Sequence, residues 1–207
     1  MTGLGHGAAG FGWALLELYR TTGRRRFLEG SENAFQYERS LFRDPPGSWP
    51  DFRFNDGVSE PPPYGVVWCQ GVSGIGLTRL RALEICPNAV LRNEVSAALR
   101  AVTARLSIGP LAEGDFSLCH GAAGMADFLV ECGRILEDDT ATALAHQVAV
   151  ASATRYAANP ATWPSGVPGK TGNPSLMLGL AGAGLLFLRL EDPGLRSILL
   201  PTPAHLS

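Results

Sequence analysis

Ser117-Leu118-Cys119-His120-Gly121-Ala122-Ala123-Gly124 sets a cysteine and a histidine side by side, ahead of a glycine-bounded turn that opens an apolar helical pattern. Thiolate and neutral imidazole are the two usual zinc ligands, and a turn entering a helix can aim both inward. On a strand, neighbouring side chains point to opposite faces; on a helix they diverge by about 100°. One ion gripped by both residues therefore requires irregular backbone. Gly121 and Gly124 are expected to supply it, since glycine alone reaches positive φ without steric cost. For a lone pair the plainer reading, a buried thiol beside a hydrogen-bonded histidine, is the better one, so the rest of the chain has to decide.

The same form occurs elsewhere. Gly3-Leu4-Gly5-His6-Gly7-Ala8-Ala9-Gly10 runs into Trp13, Leu15, Leu16, Leu18 and Tyr19 and stops at Thr21-Thr22-Gly23, the apolar spacing of an amphipathic helix closed by glycine. Trp68-Cys69-Gln70-Gly71-Val72-Ser73-Gly74 leads into Leu77, Leu80 and Leu83, and Gly179-Leu180-Ala181-Gly182 leads into Leu185 to Leu190. The first glycines of these G-x-x-G cores, Gly7, Gly71, Gly121 and Gly179, are 64, 50 and 58 residues apart, with a further helical stretch between each pair. Phe27, Ala34, Phe35, Tyr37 and Leu41 mark the apolar side of the first of these, and residues 90–106 and 140–158 form the others. A two-helix unit repeated in this way predicts stacked helical hairpins, an all-α barrel with the glycine-entered helices inside. The proline-rich stretch from Asp44 to Pro63 is not helical throughout and reads as a long functional loop.

Composition narrows the function. Of 207 residues, 45% are hydrophobic and 17% charged, enough for one domain with a substantial core. A net charge of -2 excludes a polyelectrolyte footprint for nucleic acid or an anionic membrane. Arg24-Arg25-Arg26 is the one basic run, and it reads as the solvated end of a helix. The apolar stretch Leu176 to Leu190 is broken by glycines and Arg189, so it reads as a core helix rather than a membrane span. Four cysteines without small-scaffold density or a signal peptide point to a reducing, cytoplasmic setting in which thiols stay free for metal.

In a barrel of hairpins, equivalent turns meet at one end, so His6, Cys69, Cys119 and His120 are expected to converge. Ligand-type residues at three corresponding turns point to a shared metal or catalytic site. The segments Gly5-His6-Gly7-Ala8-Ala9-Gly10, Trp49-Pro50-Asp51-Phe52-Arg53, Trp68-Cys69-Gln70-Gly71, Cys119-His120-Gly121 and Gly179-Leu180-Ala181-Gly182 resemble the lanthionine synthetase C-like family. The likeness is closest to the C-terminal cyclase portion of the class II, bifunctional lanthipeptide synthetases. It extends over nearly the whole chain, including Asp192-Pro193 and Leu199-Leu200-Pro201. It implies an α/α toroid, zinc held by Cys69, Cys119 and His120, lanthionine or methyllanthionine ring closure on a dehydrated precursor peptide, and His6 as the active-site histidine.

That chemistry is consistent with the residues themselves. Two thiolates and one imidazole leave one tetrahedral position open, as in catalytic rather than structural zinc sites. A peptide thiol activated there would add to dehydroalanine or dehydrobutyrine, and the resulting enolate takes a proton, a role suited to His6. The plainer reading of His6 is a helix-entry histidine bonded to backbone.

The chain departs from the family in two ways. Gln70 follows the first zinc cysteine, where tyrosine or histidine is common, and is expected to position rather than to protonate. The chain also begins almost at the His6 motif, so it is expected to be the C-terminal half to two-thirds of a cyclase domain, with an incomplete toroid and without the dehydratase domain.

Other candidates are weaker. Cys86, Cys132 and His146 read as ordinary core or surface residues, and so does His205. Trp49 and Trp68 either border a peptide groove or are simply buried; Asp51 and Arg53 either contact substrate or stabilise their loop. Two rival functions follow from the same residues: a non-catalytic, zinc-stabilised peptide-binding scaffold, and an α/α-barrel glycosidase. The second lacks paired carboxylates at the glycine turns.

Overall fold

Each of the four G-x-x-G cores opens a helix in the computed structural model, which describes residues 1–54, 62–109, 115–192 and 194–201. His205 and the prolines at 61, 110 and 193 lie outside the described residues. In chain order the helices are α1 (Ala8–Thr22), α2 (Arg25–Leu41), α3 (Val72–Ile85), α4 (Ala89–Ile108), α5 (Ala122–Leu136), α6 (Asp139–Tyr156) and α7 (Leu180–Glu191). Among the described residues there is no β-strand, only isolated bridges such as Pro50 with Tyr64. None of the helices is long and apolar enough to cross a membrane.

Helices α1 and α2, α3 and α4, and α5 and α6 pair as hairpins, and α1, α3, α5 and α7 pack in sequence as an inner row. This is the all-α stack of helical hairpins expected from the repeat, consistent with the toroid that the resemblance implies. α3 and α5 are buried along nearly their whole length, as central members of such a row must be. Two expectations need correcting. Tyr37 is exposed, and α2 instead buries Ser31, Phe35 and Glu38. The stretch 176–190 is helical only from Leu180, and Leu176 and Leu188 are exposed.

The entrances are built identically. The amide of the residue after each first glycine donates to the carbonyl seven positions upstream: Ala8 to Met1, Val72 to Gly65, Ala122 to Asp115 and Leu180 to Asn173, at 2.7 to 3.1 Å. The chain thus folds back over its own helix start. A Cβ on any first glycine would overlap that returning backbone, and a Cβ on Gly10, Gly74, Gly124 or Gly182 would overlap the carbonyl oxygens of Leu4, Trp68, Leu118 and Leu176. This corrects the conformational expectation for Gly121 and Gly124. The φ of Gly121 is -106°, and Gly124 lies within α5, so close approach demands glycine here and positive φ does not.

The two ends of the inner row differ from its middle. On α1, Phe11 is 73% exposed, and Ala14 and Leu18 are exposed beside it, whereas their equivalents Ile75, Thr78 and Ala82 on α3 and Met125, Phe128 and Cys132 on α5 are buried. On α7 the opposite flank is open: Ala181, Gly184 and Leu188 are exposed, whereas Ser73, Gly76 and Leu80 on α3 are buried.

Buried charges tie the hairpins together. Arg79 of α3 is fully buried, pairs with Glu38 of α2 at 2.9 Å and Glu94 of α4 at 2.8 Å, and lies 3.9 Å above the Phe35 ring. The other Glu38 oxygen accepts the amides of Gly3 and Ala9, capping α1, whose own N-cap glycine has no side chain to do so. Arg189 of α7 is held in the same manner by Asp127 and Glu131 of α5. Removing one partner from such a buried pair costs about 3–5 kcal/mol, because the other charge is left uncompensated.

Candidate metal centre

Counting from the first glycine of each core, Gly5, Cys69, Cys119 and Met177 share one position, and His6, Gln70, His120 and Leu178 share the next. The first set is stitched edge to edge by the backbone. The amide of Gly5 donates to the carbonyl of Cys69 (2.9 Å), that of Cys69 to Cys119 (3.3 Å), and that of Cys119 to Met177 (3.0 Å). This ladder gives Cys69 and Cys119 matching orientation on neighbouring repeats. His120, in the turn after Cys119, completes a cluster whose three ligand atoms all lie within 4.8 Å of one another.

The His120 ring is oriented from behind. Its Nε2 lies 2.9 Å from the carbonyl oxygen of Gly166 and 3.5 Å from Asp115 Oδ2. A carbonyl only accepts, so the neutral ring carries its proton on Nε2 and leaves the Nδ1 lone pair for a metal. Gly166 has to be small: a Cβ there would stand 2.7 Å from that Nε2. Asp115 also receives the Ser117 amide, and Ser117 Oγ accepts the His120 amide, so the turn and the ring are fixed together.

Electrostatics match a ligand set. A hydrogen bond from Cys119 outweighs burial and, with His120 and Arg53 nearby, holds the Cys69 thiol at a pKa of about 5. The same contact pushes the Cys119 thiol up, with burial adding to it. Hydrogen bonding to Cys69 raises His120 to about 9 despite burial. Without metal, a Cys69 thiolate thus sits between a thiol and an imidazolium. The donor set of two sulfurs and one nitrogen, with a carboxylate and a carbonyl behind the ring, suits zinc.

His6 is exposed at the same end, tied to Cys69 through the Gly5 amide. Asp51 lies within electrostatic reach of it. Burial works to raise the Asp51 carboxyl, but the Arg53 guanidinium, bonded at 2.7 Å through Nη2, holds it below the usual range. Arg53 in turn feels the charges of Cys69 and Cys119. The 49–53 loop therefore reaches the centre, while Trp49 itself is buried against Phe42.

Gln70 is fully buried, and neither end of its amide meets a partner among the described residues. Cys132 is buried, Cys86 partly so, and His146 exposed; none belongs to the cluster. Trp68 donates its indole N–H to the Leu199 carbonyl, so it braces the fold. Sequence reading missed Asp115, Gly166 and the loop that, with His120, walls a cleft of about 520 Å3 at residues 164–171. A Pro-Ser-Gly stretch carries no ligand signal of its own.

Among curated proteins, none matches this chain. The sequence model of the lanthionine synthetase C-like proteins matches residues 1–202, and with the repeat architecture this places the chain in the lanthionine synthetase C-like family.

Proposed function

We propose that the chain is the C-terminal part of a lanthipeptide cyclase domain of the class II type, closing thioether rings between cysteine thiols and dehydroalanine or dehydrobutyrine of a precursor peptide. The observation that carries this reading is the cluster of Cys69, Cys119 and His120, set at the glycine entrances of a family member. These three residues are the proposed zinc ligands, and three protein ligands leave one tetrahedral position for substrate. Zinc bound there supplies the Lewis acidity that keeps a peptide thiol deprotonated near neutrality.

The chain's own residues do the rest. Gly166 and Asp115 hold the His120 ring in its ligating orientation. Addition of the thiolate to the β-carbon of the dehydroamino acid forms the C–S bond and moves the π electrons onto an enolate, which takes one proton at the α-carbon. His6 is proposed to deliver that proton, with the Asp51 carboxylate within electrostatic reach of it and Arg53 fixing Asp51. The open flanks of α1 and α7 support the reading that further hairpins of the cyclase domain flank this part. A dehydratase domain upstream and a cytoplasmic setting complete the proposal.

The test is incubation of the zinc-loaded protein with a dehydrated, cysteine-containing peptide, following loss of free thiol at unchanged peptide mass. Ring formation supports the cyclase. Zinc and peptide binding without ring formation would instead establish the scaffold.

A further inference from the structure

All four cysteines are free thiols, and they fall into two kinds. Cys132 is fully buried within α5, and Cys86 stands partly buried at the end of α3; both lie outside the metal cluster. Cys69 and Cys119 meet. Their sulfurs lie within 4.8 Å of one another, and the two side chains are hydrogen-bonded together. Behind them the Cys69 amide donates to the Cys119 carbonyl at 3.3 Å.

That backbone bond puts the pair within reach of a covalent link. Hydrogen-bonded extended segments run about 4.8 Å apart, inside the Cα separation of about 4.4–6.8 Å that a disulfide spans. Equivalent positions on adjacent repeats give the two side chains the same orientation, so closing the remaining gap asks for side-chain rotation rather than movement of α3 or α5. Both residues precede the glycine entrances instead of lying within a helix, and Cys119 is only partly buried, which leaves it open to a small oxidant. An oxidised thiol with a second thiol at hand condenses to a disulfide, whereas an isolated one goes on to sulfinic acid.

We infer that Cys69 and Cys119 form a reversible redox pair, closing to a disulfide in the presence of hydrogen peroxide and thereby excluding metal from the site. In this step the two thiols give up two protons and two electrons, one S–S bond forms, and the O–O bond of the peroxide breaks to release two waters. A dithiol reverses it by exchange through a mixed disulfide. Thiolate is the metal ligand and disulfide sulfur is not, so closure removes two of the three proposed ligands and leaves His120 alone. Bound zinc, conversely, engages both sulfurs and protects them. The pairing rests on the geometry of two adjacent entrances; its consequence for metal rests on the ligand set proposed above.

The test treats the full chain, stripped of metal with a chelator, with equimolar hydrogen peroxide, followed by intact mass and thiol titration under denaturing conditions. Loss of two hydrogens and of two of the four thiols is expected, with a link between Cys69 and Cys119 in a non-reducing digest and full recovery on dithiothreitol. The linked protein should take up no zinc at equilibrium dialysis, and the dithiothreitol-treated protein should regain it. Prior loading with zinc should prevent the link. Cys86→Ser is expected to form the link and Cys119→Ser to lose it, and the digest of the unaltered chain decides the matter where Cys119→Ser fails to fold. Oxygen adducts on single cysteines without a link, a link to Cys86 or Cys132, or a linked protein that still binds zinc overturns the inference. A link that forms in a protein whose reduced form binds no zinc refutes the ligand set while the pairing stands, and the ring-closure assay bears on neither.

Discussion

The amide of Cys69 donates to the carbonyl of Cys119 at 3.3 Å, so the two thiols stand at the same position of adjacent repeats and face one point. That bond is one rung of a ladder joining Gly5, Cys69, Cys119 and Met177. The ligand geometry is therefore a property of repeat stacking rather than of any single loop. Two neighbouring entrances contribute a sulfur each, and the turn after the second adds the imidazole.

The protonation pattern of this cluster sets how zinc binds. Cys69, near a pKa of about 5, is already ionised at neutral pH, whereas His120, near about 9, carries a proton and so does Cys119, whose pKa is raised. Three lone pairs are needed, so two protons leave per ion and affinity rises with pH. Acidification reverses this. The slope is about a hundredfold per pH unit between roughly pH 6 and 8. Calorimetry in buffers of different ionisation enthalpy should report two protons released per zinc. Cys119→Ala, which removes a ligand, is expected to lose the metal by elemental analysis; retention of one zinc per chain would refute the ligand set.

His6 shares its repeat position with His120 but stands exposed, within electrostatic reach of Asp51 and outside the cluster of Cys69, Cys119 and His120. His6→Ala is therefore expected to keep a full complement of zinc while ring closure on a dehydrated peptide falls by about 10²–10⁴-fold, the range for loss of a general acid. Deuterium uptake at the α-carbon in heavy water would lose its stereochemical preference in parallel. Unchanged turnover in this variant would assign proton delivery elsewhere.

The repeat, the inner helices and the meeting of Cys69, Cys119 and His120 were legible because each leaves a local mark: spaced apolar residues, paired glycines, and thiol or imidazole beside them. What was not legible depends on distant partners. Arg79 and Arg189 sit in helical patterns as ordinary charges, yet both are buried because carboxylates from other helices meet them. Glu38 caps α1 from 29 residues beyond Ala9. Gly166 is 46 residues from the histidine it orients. For Gly121 and Gly124 the expected reason, positive φ, was the wrong one, since crowding by the chain seven residues upstream has no signature in one residue's φ.

Crowding at the entrances makes a paired prediction. A Cβ on Gly74 would overlap the Trp68 carbonyl oxygen and stand 2.8 Å from Leu4 Cβ, whereas a Cβ on Gly184 meets nothing within 4 Å. Both glycines lie in helices of the same inner row. Gly74→Ala is expected to destabilise by about 3 kcal/mol through backbone displacement. Gly184→Ala should stabilise by roughly 0.5–1 kcal/mol, the helix propensity difference. Urea denaturation of both variants against wild type checks the pair, and a stable Gly74→Ala protein would contradict the entrance geometry.

Gln70 offers a test of a different kind. It occupies the position that carries histidine in the repeats on either side, directly after a proposed ligand, yet its amide nitrogen and oxygen are both buried without a partner among the described residues. An unpaired buried polar group costs about 1–3 kcal/mol, and an apolar side chain of similar length removes that cost while filling the same volume. Gln70→Met is therefore expected to raise the unfolding free energy by about 1 kcal/mol once the shape mismatch is deducted, seen as a higher denaturation midpoint, with zinc content unchanged. Gln70→Ala, which deletes the amide but opens a cavity, should be less stable than Gln70→Met. If Gln70→Met loses both stability and ring closure while retaining zinc, the amide has a partner in solution and acts on the substrate.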